Sequence, residues 1–342
     1  MKSQALFFIA PHQVEVREES LPALRARQVK VETICSAISP GTEMLLYRGE
    51  FPSDLPLDEN LSSLSGAFSY PLKYGYAVVG EVVGLGPGVN PARLGQQVFA
   101  FQPHADRFIA AVDELLPIPP DVLTEDAVFL PNMETAVNFV LDGAPAIGEQ
   151  VTVFGQGIVG LLTTALLMQF PLASLITVDK YAIRRQAAVD LGASASLDPE
   201  SAEFLEDARH CLQADRPYPG ADLVFELSGS PAALDQAISL CGFNSRVVVG
   251  SWYGTKRAVI DLGGRFHRNR IQLVSSQVST VKPEISGRWS KPRRFDLAWE
   301  MLKKIRPSRW ITQRFPFAQT GQAYQLIDQN PGETIQVVFT YP

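Results

Sequence analysis

The run VFGQGIVG sets Gly155, Gly157 and Gly160 between a short apolar stretch and a longer one of helical length. Each glycine has its own task if a phosphate-bearing ligand sits there. Gly155 permits a tight turn out of a strand. Gly157 lets the backbone approach a pyrophosphate, and Gly160 lets the next helix pack on the strand. The phosphates then meet free N–H groups at the helix start. SLITVDK reads as the following strand and ends at Asp179. A carboxylate in that place accepts hydrogen bonds from an adenosine ribose and repels a 2′-phosphate. The pattern predicts NAD in preference to NADP. Lys180, Arg184 and Arg185 follow the acid, and a basic residue there can hold a 2′-phosphate, so NADP stays open. Glycines in this spacing are a weak signal alone; the order strand, glycines, helix, strand, acid gives them weight.

The elements around this motif alternate. METAVNFVLDGA reads as a helix and residues 151–154 as a buried strand. IRRQAAVDLGA reads as a helix stopped by Gly192. ADLVFELSG, SRVVVGSW and IQLVSSQ are further strands, with the helix PAALDQAISLC between the first two. Strand–helix alternation predicts parallel βαβ units with helices on both faces of one sheet. The first 130 or so residues differ: QALFFIA, QVEVREE, QVKVETICSAIS, YAVVGEVVGLG, QQVFAFQ and DRFIAAV are short strand-like runs between turn clusters. Residues 53–69 are polar and turn-rich and read as a long loop. RRFDLAWEMLKKI and TGQAYQLIDQN read as helices, and TIQVVFTY as a closing strand. The expected fold class is therefore α/β, a β-rich domain joined to a doubly wound parallel sheet.

Bulk properties agree with a two-domain globular protein. The chain has 342 residues, 46% apolar and 19% charged, with a formal net charge of −6. KPRRF is too short a basic run to predict nucleic-acid binding. The apolar run near the N-terminus is too short for a signal-peptide core, and no stretch of about 18 apolar residues predicts a membrane span. Cys35, Cys211 and Cys241 form no CxxC pair. They read as buried small hydrophobes in a reducing compartment, so a cytoplasmic location is expected.

Three further stretches carry a family resemblance over nearly the whole chain: SAISPGTE (36–43), GYAVVGEVV (75–83) and LPNMETAVN (130–138). With VFGQGIVG, DLVFELSG and RVVVGSW, they resemble the medium-chain dehydrogenase/reductase superfamily. Within it they look most like the branch that includes bacteriochlorophyllide a dehydrogenase. The resemblance implies a GroES-like catalytic domain at 1–132 and 276–342 and a Rossmann domain at 133–275. It implies cofactor contacts from Gly155, Gly157, Ile158, Val159, Gly160, Asp179, Lys180, Arg184, Ser228, Ser251 and Thr135. A homodimer or homotetramer and a small-molecule substrate are also implied.

Zinc members of this family supply a Cys, a His–Glu pair and a Cys or Glu. The matching places hold Ser39, Tyr76 with Ala77, and Pro131. None offers the thiolate, imidazole or carboxylate that zinc requires. The four-cysteine structural-zinc lobe is missing too, so no metal is expected. An acid/base group must then move the hydroxyl proton by itself. Tyr76, Thr42, Glu43, His104 and Glu134 are the candidates. Tyr76 stands in the lost ligand's place and is expected to face the nicotinamide. Thr42 and Glu43 match relay and supporting residues, or cap a short helix. His104 is expected to border the cleft as a base near neutral pH. Glu134 opens the linking helix, where an acid is also favoured by the helix dipole. Tyr70 and Trp289 offer flat surfaces for a bulky ring, and the resemblance implies a tetrapyrrole. The leading expectation is a zinc-independent NAD-linked dehydrogenase of a secondary alcohol. An NADPH-dependent enoyl or quinone reductase, or a non-catalytic NAD-binding protein, are the alternatives.

Overall fold

The computed structural model describes residues 2–52, 54–57, 61–64, 66–212 and 219–342. The chain divides into two compact units, Met1–Pro131 with Leu302–Pro342, and Asn132–Met301. Residues 276–301, grouped with the first domain from sequence, fall in the second unit. The reason is local: strand Gln272–Ser275 joins the second unit's sheet, and the chain after it stays bonded to helix Leu130–Gly143.

In chain order the first unit contributes strands β1 (Lys2–Ala10), β2 (Gln13–Ser20) and β3 (Gln28–Ala37), helix α1 (Thr42–Arg48), then β4 (Val78–Leu85), β5 (Gln97–Ala100), β6 (Arg107–Ala111) and β7 (Leu115–Pro117). The short α2 (Thr124–Ala127) precedes α3 (Leu130–Gly143). The nucleotide-motif region follows as β8 (Gln150–Phe154), α4 (Ile158–Leu167), β9 (Ser174–Val178), α5 (Ala182–Asp190), β10 (Ala195–Leu197), α6 (Phe204–Cys211), β11 (Ala221–Glu226), α7 (Pro231–Leu240), β12 (Cys241–Val249) and β13 (Gln272–Ser275). Then come α8 (Lys291–Ile305), β14 (Ile311–Pro316), α9 (Thr320–Gln329) and β15 (Gln336–Thr340).

The first unit holds a β1–β2 hairpin and a sheet in the order β14-β15-β3-β4-β5-β7, with β6 paired to β3. β15 runs antiparallel to β3, Val338 opposite Ala37, so the last strand returns to the first unit as its sequence predicts. The stretch 53–69 is more than a surface loop. Leu57, Leu61, Leu64 and Phe68 pack into the core around Phe8, Tyr74, Tyr324 and Phe339. Apolar residues three or four apart gave that stretch one face to bury. The part of the loop expectation on residues 53, 58–60 and 65 lies outside the described residues.

The second unit is a six-stranded parallel sheet in the order β10-β9-β8-β11-β12-β13. That is the dinucleotide-binding order of two mononucleotide halves meeting between β8 and β11. Both faces are covered. Val151, Val153, Leu223 and Phe225 pack on one side. Phe154, Val178, Val224 and Val247 pack on the other with α6 and α7. This two-sided burial is why β8, QVTVF, is buried at every position. Among the described residues no helix is long and apolar enough to cross a membrane. Cys35 and Cys241 are buried, but Cys211 is only half-buried at the end of α6, a departure from its expected burial.

Candidate active site

The three motif glycines are required for different physical reasons. Gly155 has φ +84, and a Cβ there would lie 2.6 Å from the backbone N and Cα of Ser228. A Cβ on Gly160 would overlap the carbonyl oxygen of Gly155. Gly157 differs. A Cβ there would meet only Arg184 Nη1 at 3.9 Å, so neither packing nor backbone strain demands glycine. Gly157 caps α4 with no side-chain hydrogen bond. The first helical bond runs from Leu161 N–H to Gly157 O at 2.9 Å. The N–H groups of Ile158, Val159 and Gly160 therefore precede the helix's own acceptors. Open space beside uncapped N–H groups is the arrangement a pyrophosphate needs.

Asp179 follows β9 and is 7% exposed. Its Oδ2 accepts the Gln156 N–H at 2.7 Å, and its Oδ1 accepts the Tyr181 N–H at 2.8 Å. The acid thus ties the glycine turn to the end of β9 while each oxygen retains a further lone pair. The basic residues behind it divide. Arg185 donates to the carbonyls of Asp179 and Lys180 and pairs with Asp198 at 2.9 Å. Arg184 stands 4.0 Å from Asp179 Oδ2. Its guanidinium and the Lys180 ammonium both lie over the Tyr181 ring, at 4.8 and 5.0 Å. Burial lowers the Arg184 pKa, with Asp179 opposing.

The other half of the sheet brings Ser228 and Ser251 together around Glu226, which the sequence reading missed. Glu226 ends β11 fully buried. Its carboxylate accepts from Ser228 N–H at 2.8 Å, from the Ser228 hydroxyl, and from the Tyr253 hydroxyl at 2.5 Å. Ser251 Oγ accepts the Gly229 N–H at 2.8 Å. Burial, then Glu226, raises the Tyr253 pKa. The available signal was a lone acid closing the apolar run DLVFE.

In the first unit, Tyr76 donates to Ser39 Oγ at 2.5 Å. These are the two places where the resemblance puts metal ligands, and here they bond to each other. Pro131, the third place, has no ligating side-chain atom. These three positions offer no thiolate, imidazole or carboxylate to a zinc ion. Among the described residues no group of three His, Cys, Asp or Glu side chains is placed to hold a metal ion. Glu43 is fully buried. Its Oε1 accepts the Ser39 N–H at 2.8 Å, and its Oε2 takes His104 Nε2 at 3.1 Å and the Tyr324 hydroxyl. Burial first, then Glu43, raises the Tyr324 pKa. His104 Nδ1 meets Ser36 Oγ at 2.7 Å, and Ser36 meets the Tyr341 hydroxyl at 2.8 Å.

This network corrects the expected place of His104. His104 does not border an open site: it is 0% exposed, held by Glu43 and Ser36 inside the core. Glu43, expected as a supporting acid or a helix cap, is bonded to Ser39 through the backbone N–H and not the hydroxyl. Neither Thr42 nor Glu43 caps α1 through its side chain; the cap is Gly41. Thr42 is half-buried at the first position of that helix. Gly75 has φ +122, and a Cβ there would lie 2.7 Å from the His104 ring, so the buried imidazole dictates that glycine. Cys35 lies in the same core, as expected, and burial pushes its thiol up to about 12.

Glu134 is corrected as well. It is 4% exposed and pairs with Arg294 Nη2 at 2.7 Å. Burial raises its pKa, with Arg294 opposing. It is a buried ion-pair partner and not a free first-turn acid. Thr135 beside it is half-buried.

No family model matches the chain. Among curated proteins it is 24% identical to D-guloside 3-dehydrogenase of Escherichia coli K12, over 97% of this chain and 98% of that one. It is 28% identical to D-xylulose reductase A of Aspergillus oryzae, over 66% and 69% of the two chains. Among solved structures, an alcohol dehydrogenase (rspB) of E. coli CFT073, complexed with NADH, superposes with a TM-score of 0.78 at 18% identity, covering 99% of each chain. The two units and their strand orders agree with these likenesses: over nearly its whole length the chain is similar to oxidoreductases of the medium-chain dehydrogenase/reductase type.

Proposed function

We propose that the protein interconverts a secondary alcohol and its ketone with NAD as the preferred cofactor and without zinc. The observation that carries the reading is the glycine cradle: Gly155 and Gly160 are demanded by backbone packing, while Gly157 is left glycine beside open space. Asp179, tied to the same turn at 2.7 Å, favours a ribose with a free 2′-hydroxyl. It also weighs against an NADPH-dependent reductase. When bound, the nicotinamide accepts or returns a hydride.

The chain's own task is the hydroxyl proton. Tyr76 and Ser39 form a hydroxyl pair at 2.5 Å. With Tyr76 donating to Ser39, the Ser39 hydrogen is directed elsewhere and can reach a substrate oxygen. In reduction the Ser39 hydroxyl gives its proton to the substrate oxygen and takes the Tyr76 proton, leaving a phenolate that solvent reprotonates; in oxidation the phenolate form takes the substrate proton back through Ser39. Glu43 fixes the Ser39 backbone from behind. Tyr70 donates to Leu46 O, and Arg293 covers the Trp289 ring at 4.3 Å. Both aromatics are thus engaged, which argues against the bulky-ring substrate. Two relatives are named for a guloside and for xylulose, so sugars and polyols with secondary hydroxyls are the class we propose.

The test is a titration of purified protein with NADH and NADPH by nicotinamide fluorescence, then NAD-linked oxidation of a polyol and sugar panel with and without chelator. Tighter NADH binding and chelator-resistant turnover are expected. Binding of neither reduced cofactor would overturn the reading. Turnover of any alcohol would dispose of the non-catalytic alternative.

A further inference from the structure

α8 carries a stripe of buried residues at Arg294, Ala298, Met301, Leu302 and Ile305. The spacing is that of one helix face, yet its first member is a guanidinium, 0% exposed. An arginine has five N–H donors, and all are used. Nε and Nη2 donate to Glu134 Oε1 at 3.1 and 2.7 Å. Nη1 donates to Asn138 Oδ1 at 2.5 Å and Thr280 O at 3.3 Å. Nη2 also donates to Val278 O.

The same face of α3 continues the network. Asn138 Nδ2 donates to Asp142 Oδ2 at 3.0 Å and meets Ser276 Oγ at 3.1 Å. The Ser276 hydroxyl donates to Asp142 Oδ2 at 2.5 Å. Asn138 and Asp142, four apart on α3, thus hold Ser276 directly, while Glu134 and Asn138 hold Arg294, which in turn holds the carbonyls of Val278 and Thr280. This stretch lies at the carboxyl end of the sheet, where a dinucleotide binds. It belongs to the β11–β12–β13 half, opposite Asp179 and β9, which is the half left for the nicotinamide.

A buried ion pair is a poor stabiliser: apolar residues of similar volume often hold a structure as well or better. What a guanidinium can do and an apolar side chain cannot is bind two backbone carbonyls and a helix carboxylate in one fixed geometry. We propose that Arg294 is a positioning residue for the nicotinamide half of the dinucleotide, acting through the loop 276–280 that it clamps to α3. The inference rests on the dinucleotide reading above.

The experiment compares NADH with ADP-ribose, which lacks the nicotinamide, on the whole protein. Dissociation constants come from fluorescence and calorimetry for the parent, Arg294→Lys and Glu134→Gln, with melting temperatures as a check on folding. Losing one hydrogen bond to the nicotinamide half corresponds to about tenfold in affinity. NADH binding in Arg294→Lys should therefore weaken about tenfold, and ADP-ribose binding should hold within about twofold. Glu134→Gln keeps an acceptor and the volume, serves as the second variant should Arg294→Lys fail to fold, and should show the same split in smaller degree. Equal weakening of both ligands, or unchanged NADH binding in folded variants, would overturn the role of Arg294. Failure of the parent protein to bind either ligand would overturn the dinucleotide reading and this inference with it.

Discussion

Gly157→Ala and Gly160→Ala, both one methyl group, should fail in opposite ways. At Gly157 the backbone has φ −65 and ψ −178, open to any residue, and the new Cβ finds only Arg184 Nη1 at 3.9 Å. Gly→Ala at a compatible position stabilises by about 0.4–1 kcal/mol, while alanine is a poorer N-cap than glycine by a comparable amount. The two nearly cancel, so the melting temperature without cofactor should move by no more than about 2 °C. The methyl group nevertheless stands where the pyrophosphate must approach the N–H groups of α4. Losing one charge-assisted hydrogen bond, about 1.5–3 kcal/mol, corresponds to roughly 10- to 150-fold in Kd. At Gly160 the methyl overlaps Gly155 O. Backbone must shift, at about 1–3 kcal/mol or more, so that variant should melt several degrees lower before any ligand is added. Differential scanning fluorimetry without cofactor and NADH fluorescence titration read the two effects separately. Parent-like NADH affinity in Gly157→Ala, or equal thermal losses in the two variants, would refute the division of labour among the glycines.

Tyr76→Phe keeps the ring and removes the donor to Ser39; kcat should fall by about 10² to 10⁴ with NADH affinity unchanged, and parent-like turnover would remove Tyr76 as the acid/base. Elemental analysis should find no stoichiometric zinc, and about one tightly held zinc per chain would require Ser39, Tyr76 and Pro131 to be reassigned. Burial raises the Asp142 pKa above its ordinary 3.8, with Ser276 the chief opposing group. A raised carboxyl favours the fold below its unfolded pKa and loses that contribution as pH rises through the folded value. Asp142→Asn should therefore raise the melting temperature at pH 7, and the gain should shrink as pH falls toward 3.8; a gain that grows on acidification would contradict this.

What the sequence made legible follows from how local each cause is. Gly155, Gly157 and Gly160 answer to a turn, an open approach and a packing contact within one βα unit, so their spacing carried the reading. The β11 and β12 strands were visible as apolar runs because a parallel sheet buries both faces. His104, Glu134 and Arg294 were not legible, because their partners are remote. Arg294 meets Glu134 across 160 positions and His104 meets Glu43 across 61. Periodicity names the face a side chain occupies and says nothing of what stands opposite. A sequence signal did exist for Arg294: it opens an otherwise apolar stripe on α8, the pattern of a buried charge that must be paired. Glu226, closing an apolar strand, gave the same kind of signal.

The turn that presents Tyr76 shows how ligand residues can change while a loop stays in place. Gly75 is fixed by two constraints, φ +122 and the His104 ring 2.7 Å from its would-be Cβ. His104 is in turn held by Glu43, and Glu43 by Tyr324. Through its other oxygen Glu43 holds the backbone of Ser39. Both hydroxyl-bearing positions are thus anchored from the core side by one buried carboxylate and one buried imidazole, none of which a metal need organise. A loop held this way keeps its shape whatever side chain it displays. Serine and tyrosine can then meet at 2.5 Å in the place where the resemblance puts metal ligands. On the function proposed above, Glu43 and His104 belong to the framework and the hydroxyl pair to the chemistry. That division explains why the residue types best suited to acid–base work, a buried Glu and a buried His, are placed where no substrate oxygen can reach them.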